Sequence, residues 1–289
     1  GIGGGREEIK LVEPGLLEPE ETMFAQMFGV GVIEVNGEII SGSGGQNIIF
    51  GGSYVGSDKI IRDIRRASDD LFVKAILLRI DSPGGSSIAA GEIYQALQYA
   101  RSKGKPIVAS IGSIGASGGY YIAAAADKIV ADSSSITGSI GVLGYIPTFI
   151  ELARKLDVTA EVIKEGEHAD MFSGLRKLSP VEMMALERLQ DEAYREFINA
   201  VAQGRKMSTT EVEKIAEGRI YTGAQALDLK LIDQLGGFSD AVDLAKKEAK
   251  IGGEPRLIYY RDVGMLLQLG QGFSSALGLN QFPLLPQYK

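Results

Sequence analysis

The candidate chemistry of this chain gathers on two glycine-rich turns. DSPGG (residues 81–85) and GASGGYY (115–121) each follow an apolar run of strand length. Each can present backbone N–H groups at a strand end, and two converging N–H groups stabilise the oxyanion of acyl-transfer chemistry. The second turn also presents a serine. Ser117 stands between Ala116 and Gly118, small neighbours that let a carbonyl carbon reach its Oγ. A helix starting just after it adds the positive end of a helix dipole. Gly115 and Gly119 give the Gly-x-Ser-x-Gly spacing, yet the order of elements is not that of a hydrolase nucleophile elbow. By itself GASGG also reads as a plain helix-starting turn.

A serine nucleophile needs a base. The chain has 1 histidine, His168, inside KEGEHADMF (164–172). Asp170 lies two residues on and shares a face with His168 only if the segment is a strand. A lone histidine in so polar a stretch reads as a surface residue. The other route is a lysine whose pKa is lowered by burial, so that the neutral amine accepts the serine proton. Serine–lysine pairs are a known variant of the triad arrangement.

Composition removes several classes. With 0 cysteines, thiol catalysis, disulfides and cysteine-ligated zinc are excluded, and 1 histidine excludes a multi-histidine metal site within one chain. The formal net charge of −7, without a Lys/Arg-rich block, argues against nucleic acid as a partner. No run of about 18 apolar residues occurs, so no membrane-spanning helix is expected. At 289 residues and 45% hydrophobic, the chain can bury a substantial core.

The elements that must position the turns follow from periodicity. Residues 30–41 have strand chemistry with an Asn-Gly turn, and the Gly/Ser-rich stretch 42–56 reads as a loop. SDKIIRDIRRAS (57–68) predicts a helix, VKAILLRID (73–81) a strand covered on both faces, residues 87–103 a helix, and PIVASIG (106–112) a second buried strand. A short helix is expected within 116–126, a strand at 128–132, a helix at 147–156 and a strand at 158–164. SPVEMMALERLQDEAYREFINAVAQGR opens a long amphipathic helix behind Ser179 and Pro180. Strands alternating with helices point to an α/β fold with parallel pairing. A single domain over 29–250 is expected, with a tag-like tether at 1–28 and an apolar tail at 251–289.

These stretches resemble a known family, the bacterial and archaeal signal peptide peptidases of the SppA type. The resemblance rests on DSPGG (81–85), SIGASGGYYIAAAADKIVAD (113–132), TGSIGV (137–142), KEGEHAD (164–170), Ser179-Pro180 with a following acid, and GRIYTGAQALDLKLIDQLGG (218–237). It implies a ClpP/crotonase-like fold, a repeated β-β-α superhelix, and a serine endopeptidase with a Ser-Lys dyad and no cofactor. Ser117 matches the nucleophile. Gly84 and Gly118 match the oxyanion-hole amides, and Ser139 matches a serine that orients the lysine. The lysine belongs to a Gly-x-x-Lys-Asp motif, which here reads GEHAD. Gly166 and Asp170 are in place, and the lysine position holds Ala169.

The chain thus carries a nucleophile without its base. Three readings stand: a lysine replaced by alanine to trap an inactive protein, a natural pseudo-enzyme, or service by another lysine, Lys164 or Lys177. The resemblance also implies substrates and setting. The substrates are remnant signal peptides and other apolar peptides. The assembly is a homo-oligomeric ring or dome, by resemblance an octamer. The native form is anchored in the cell membrane with its protease domain on the extracytoplasmic side, this chain being a soluble ectodomain. Rival readings are a crotonase-like enzyme acting on acyl-CoA, and a ring-forming scaffold that presents peptides.

Overall fold

The structure, a computed structural model, describes residues 27–46 and 53–260. One compact unit runs to Ile258. Residues 1–26 and 261–289, which hold nearly all of the expected tether and most of the expected tail, lie outside the described residues.

The core is a parallel sheet. Strands β1 (Gly29–Asn36), β5 (Val73–Ser82), β6 (Ile107–Ala116), β7 (Lys128–Ala131) and β10 (Gln234–Leu235) pair in parallel in that order. β11 (Arg256–Tyr259) lies beyond β1. Helices cover both faces, which is why β5 is apolar almost throughout rather than alternating. On one face Val30, Val32, Ala75, Leu77, Val108 and Val130 meet Ala241 and Ala245 of helix α8 (Phe238–Glu248). The opposite face is covered by α1 (Ser57–Asp69), with α2 (Ser87–Ser102) and the short α3 (Gly118–Ala123) beside it.

Two sequence expectations need correction here. The Gly/Ser-rich stretch is not only loop: β2 (Glu38–Ile40), β4 (Ser53–Gly56) and β3 (Gly44–Gln46) form a small separate sheet. Its strands run to only three or four residues, too short for periodicity to show. The expected strand at 158–164 is absent, and α4 covers only Ile150–Lys155. VTAEVIK has β-branched chemistry, but Val158, Val162 and Ile163 are exposed and no described strand lies beside them to pair with. The long helix α5 (Pro180–Arg205) starts where expected, and a capping box between Ser179 and Glu182 fixes its first turn.

Candidate active site

Neighbouring parallel strands β5 and β6 end at the same edge of the sheet, with Ser82 in register with Gly115. Both glycine turns therefore leave the sheet side by side at the carboxyl ends of the strands, where open α/β sheets form their clefts. Ser117 is the single residue between β6 and α3. Its backbone has φ 51° and ψ −123°, a conformation that is costly for a residue with a Cβ. This corrects the sequence reading in one respect. Whatever the order of later elements, the local geometry is a strained strand-to-helix turn that lifts a serine side chain out of the sheet edge.

The strain is held from both sides. The Ser117 N–H donates to the Gly138 carbonyl at 2.9 Å, and Thr137 Oγ1 donates to the Gly115 carbonyl at 2.8 Å. Residues Ile136–Gly138 form β8, which pairs in parallel with the last three residues of β6. Ser139 follows with its own positive φ of 50°, and its N–H donates to the Arg219 carbonyl at 2.7 Å. Arg219 precedes β9 (Ile220–Thr222), the antiparallel partner of β8. The TGS and GRIYTG motifs are therefore the brace of the Ser117 turn.

The DSPGG turn presses on Ser117. Gly84 has φ +113°, and a Cβ there would stand 2.7 Å from Ser117 Cβ and 2.8 Å from the Gly118 nitrogen, so only glycine fits. The Gly84 N–H is engaged inside its own turn, donating to Ser82 Oγ at 3.2 Å. Gly84 is buried, whereas Gly85 is exposed and lines the cleft. Among the described residues the N–H groups of Gly85 and Gly118 have no hydrogen-bond partner. A Cβ built on Gly118 would stand 3.3 Å from the Gly85 nitrogen, so the two amides are close neighbours. The open donor pair beside Ser117 is therefore Gly85 and Gly118, one residue along from the Gly84 that the resemblance implies. Gly84 instead provides the close approach. Sequence spacing does not distinguish adjacent glycines; their hydrogen bonds do.

Ser117, Gly118 and Ser139 share one open cleft of about 980 Å³. Tyr121 and Phe197 lie in its wall, stacked with ring centroids 4.8 Å apart, and Leu143 and Tyr145 line it with exposed side chains. Burial, with Glu196 nearby, pushes the Tyr121 phenol up to about 12, so it stays neutral and acts as an apolar wall with a polar tip. The charged residues in the lining are Glu38, Asp191 and Glu217, all acids. Among the described residues this acidic lining offers the phosphates of an acyl-CoA no cation.

Ala169 is not part of that lining. It sits on an exposed, irregular turn, and its N–H makes one long bond, to the Gly166 carbonyl at 3.3 Å. The structure brings together Ser117, Gly84, Gly118 and Ser139, and position 169 is not among the residues lining their cleft. His168 is half-exposed, with Nδ1 3.0 Å from Glu182 Oε1 rather than beside Asp170. Lys164 Nζ donates to the Asp170 carboxylate at 2.7 Å, which directs it away from service at Ser117. The turn region is also apolar on its outside. Ile163 and Phe172 there are 98% and 69% exposed.

Comparison with known proteins places these features in a family. The Peptidase family S49 model matches residues 99–252, and the Clp protease model matches residues 54–135. The second match and the layered sheet agree with a ClpP/crotonase-like fold. The chain is 38% identical over 220 residues to Protease 4 of Haemophilus influenzae, covering 75% of this chain and 34% of that protein. It is 36% identical over 230 residues to a putative signal peptide peptidase SppA of Enterococcus faecium, covering 80% and 66%. It is also 36% identical over 201 residues to the chloroplastic serine protease SPPA of Arabidopsis thaliana, covering 69% and 30%. The chain thus spans about a third of two of these relatives and just under two thirds of the other.

Proposed function

Since the chain belongs to peptidase family S49, we propose that it is the catalytic unit of a serine endopeptidase working through a Ser-Lys dyad, carried here in an inactive form with Ala169 at the base position. The observation that carries this reading is the strained Ser117 turn, set beside two unpartnered amides on an open cleft. In the lysine-bearing form, the neutral amine at position 169 accepts the proton of Ser117 Oγ as the oxygen attacks the scissile carbonyl. The Gly85 and Gly118 amides receive the oxyanion. The lysine returns the proton to the leaving amine as the C–N bond breaks. It then deprotonates the water that releases the acyl group. Ser139, in the same cleft, donates to or accepts from the lysine amine and holds it in line.

Ala169 is exposed and outside the cleft lining on this chain, which supports a base that reaches Ser117 from a second copy. The exposed Tyr145, Ile163 and Phe172 belong to the surface that would be covered in such an assembly. This agrees with a ring or dome, an octamer by family resemblance. The substrates are remnant signal peptides and other apolar peptides, which suit a cleft walled by Leu143, Tyr145 and Phe197. The native protein is anchored in the cell membrane with this unit on the extracytoplasmic side. No described helix is long and apolar enough to cross a membrane.

Removing a general base typically costs 10²–10⁴-fold in rate. The Ala169→Lys chain should therefore gain endopeptidase activity on an apolar fluorogenic peptide by about that factor, and lose it again when Ser117→Ala is added. Equal activity in the Ala169 and Ala169→Lys chains would overturn the dyad.

A further inference from the structure

The turn that carries residue 169 has short backbone bonds of its own, Met171 N–H to the His168 carbonyl at 3.1 Å and Ser173 N–H to that of Asp170 at 3.0 Å, and its side chains are pinned as well. Lys164 Nζ donates to the Glu167 carbonyl at 2.8 Å and to Asp170 Oδ1 at 2.7 Å. His168 Nδ1 lies 3.0 Å from Glu182 Oε1. Asp170 accepts the Arg176 fork, from Nε at 2.9 Å and Nη2 at 2.7 Å. The same guanidinium turns its other edge to Glu182, with Nη1 and Nη2 each donating at 2.7 Å. Residues on both sides of 169 are thus tied, through Arg176 and Glu182, to one place.

That place is rigid. Glu182 is the third residue of α5, its side chain only 2% exposed, and its Oε2 accepts the Ser179 N–H at 2.8 Å to close the capping box. A carboxylate that already caps a helix of 26 residues is therefore also the anchor of this turn. A lysine could not replace Arg176, because only the planar fork reaches two carboxylates with paired donors. Part of the arrangement serves the fold, since the Asp170 and Glu182 side chains are only 12% and 2% exposed. The arrangement also has much to offer a base, whose amine must be placed to within a fraction of an ångström.

We infer that Arg176 and Glu182 are positioning residues for the catalytic base: they lock the 167–170 turn to the start of α5 so that the side chain at position 169 has one direction. This rests on the reading of position 169 as the base position.

The test uses the full assembled protein carrying Ala169→Lys. Arg176→Gln added to it should lower kcat about 10- to 100-fold with KM changed less than about twofold. Arg176→Lys should restore only part of the loss. The acid limb of the pH–kcat profile should move, because the amine has lost its fixed surroundings. Hydrogen exchange should quicken at residues 166–171 while the C-terminal half of α5 stays protected. Unchanged kcat and an unmoved acid limb in Arg176→Gln would overturn the inference. So would a loss of kcat that merely tracks a loss of folded protein. If Arg176→Gln does not fold, Arg176→Gln with Asp170→Asn and Glu182→Gln removes the stranded charges, and parental kcat in that chain overturns it equally. An inactive Ala169→Lys chain is a different result: it removes the dyad reading, and this inference with it, whatever Arg176 does.

Discussion

The two halves of the proposed dyad are built in opposite ways. The nucleophile side is made by the centre of a parallel sheet. Ser117 leaves β6, leans on a glycine of the turn after β5, and has its N–H held by the end of β8. Each of these supports is backbone in buried or half-buried surroundings, so the position of Oγ is a property of the fold. The base side has no sheet. Residues 158–178 contain no helix or strand, and the turn at 167–170 is fixed by charged side chains at its flanks. One half is fixed by a single chain; the other is presented outward. On the proposed reading, a site divided in this way would turn over only when copies meet.

Breaking the nucleophile side should have the largest effect. In the Ala169→Lys chain, Gly84→Ala places a methyl 2.7 Å from Ser117 Cβ in a backbone region closed to alanine. It should reduce kcat by at least about 100-fold, because displacements of about 1 Å at a reacting atom cost that much. Thermal unfolding should show a loss of about 1–3 kcal/mol from the added backbone strain. Wild-type kcat in that variant would contradict the close packing of the two turns.

Breaking the base side should be gentler and should depend on pH. Arg176 holds the carboxyls of both Asp170 and Glu182 well below the usual carboxylate range, with Lys164 adding to Asp170 and the Ser179 amide to Glu182. Folded pKa values below the unfolded ones give stabilisation that is complete above about pH 4 and is lost as pH falls through the depressed values. Hydrogen-exchange protection factors of residues 166–171, with the intrinsic pH dependence of exchange divided out, should thus be unchanged from pH 7 to about pH 5 and fall below about pH 4. The sheet around Ser117 should not respond over that range. A turn that loosens between pH 7 and 5 would mean that some other group holds it.

The same contrast decides what could be read without a structure. Elements from Ser57 to Ala131 were legible because long apolar runs and clear helix stretches are bounded by glycine, proline and serine. β3, β4, β8 and β9 are too short for a two-residue period to emerge, and two of them lie among Gly and Ser. The apolar residues at 158–163 misled because a strand needs a neighbour, and on this chain they face outward. At the site, the Ser117 turn could be read from its motif, while the role of position 169 rests on the resemblance. Which of two adjacent glycines keeps a free amide could not, because it depends on where Ser82 Oγ points. The hold of Arg176 on the base turn left one trace in the sequence. The acid after Ser179-Pro180 reads as a helix cap, and nothing in the spacing says that it also receives an arginine.

The most direct measurement is complementation between two inactive chains. One carries Ser117→Ala with Ala169→Lys, and so has a base but no nucleophile. The other is the chain as it stands, with Ser117 and Ala169. Each alone should show no peptidase activity. Mixed and allowed to exchange subunits, they should hydrolyse an apolar fluorogenic peptide, because a lysine from one copy meets the serine of another. An inactive mixture, alongside an active Ala169→Lys chain under the same conditions, would place both residues in one chain and contradict the divided site.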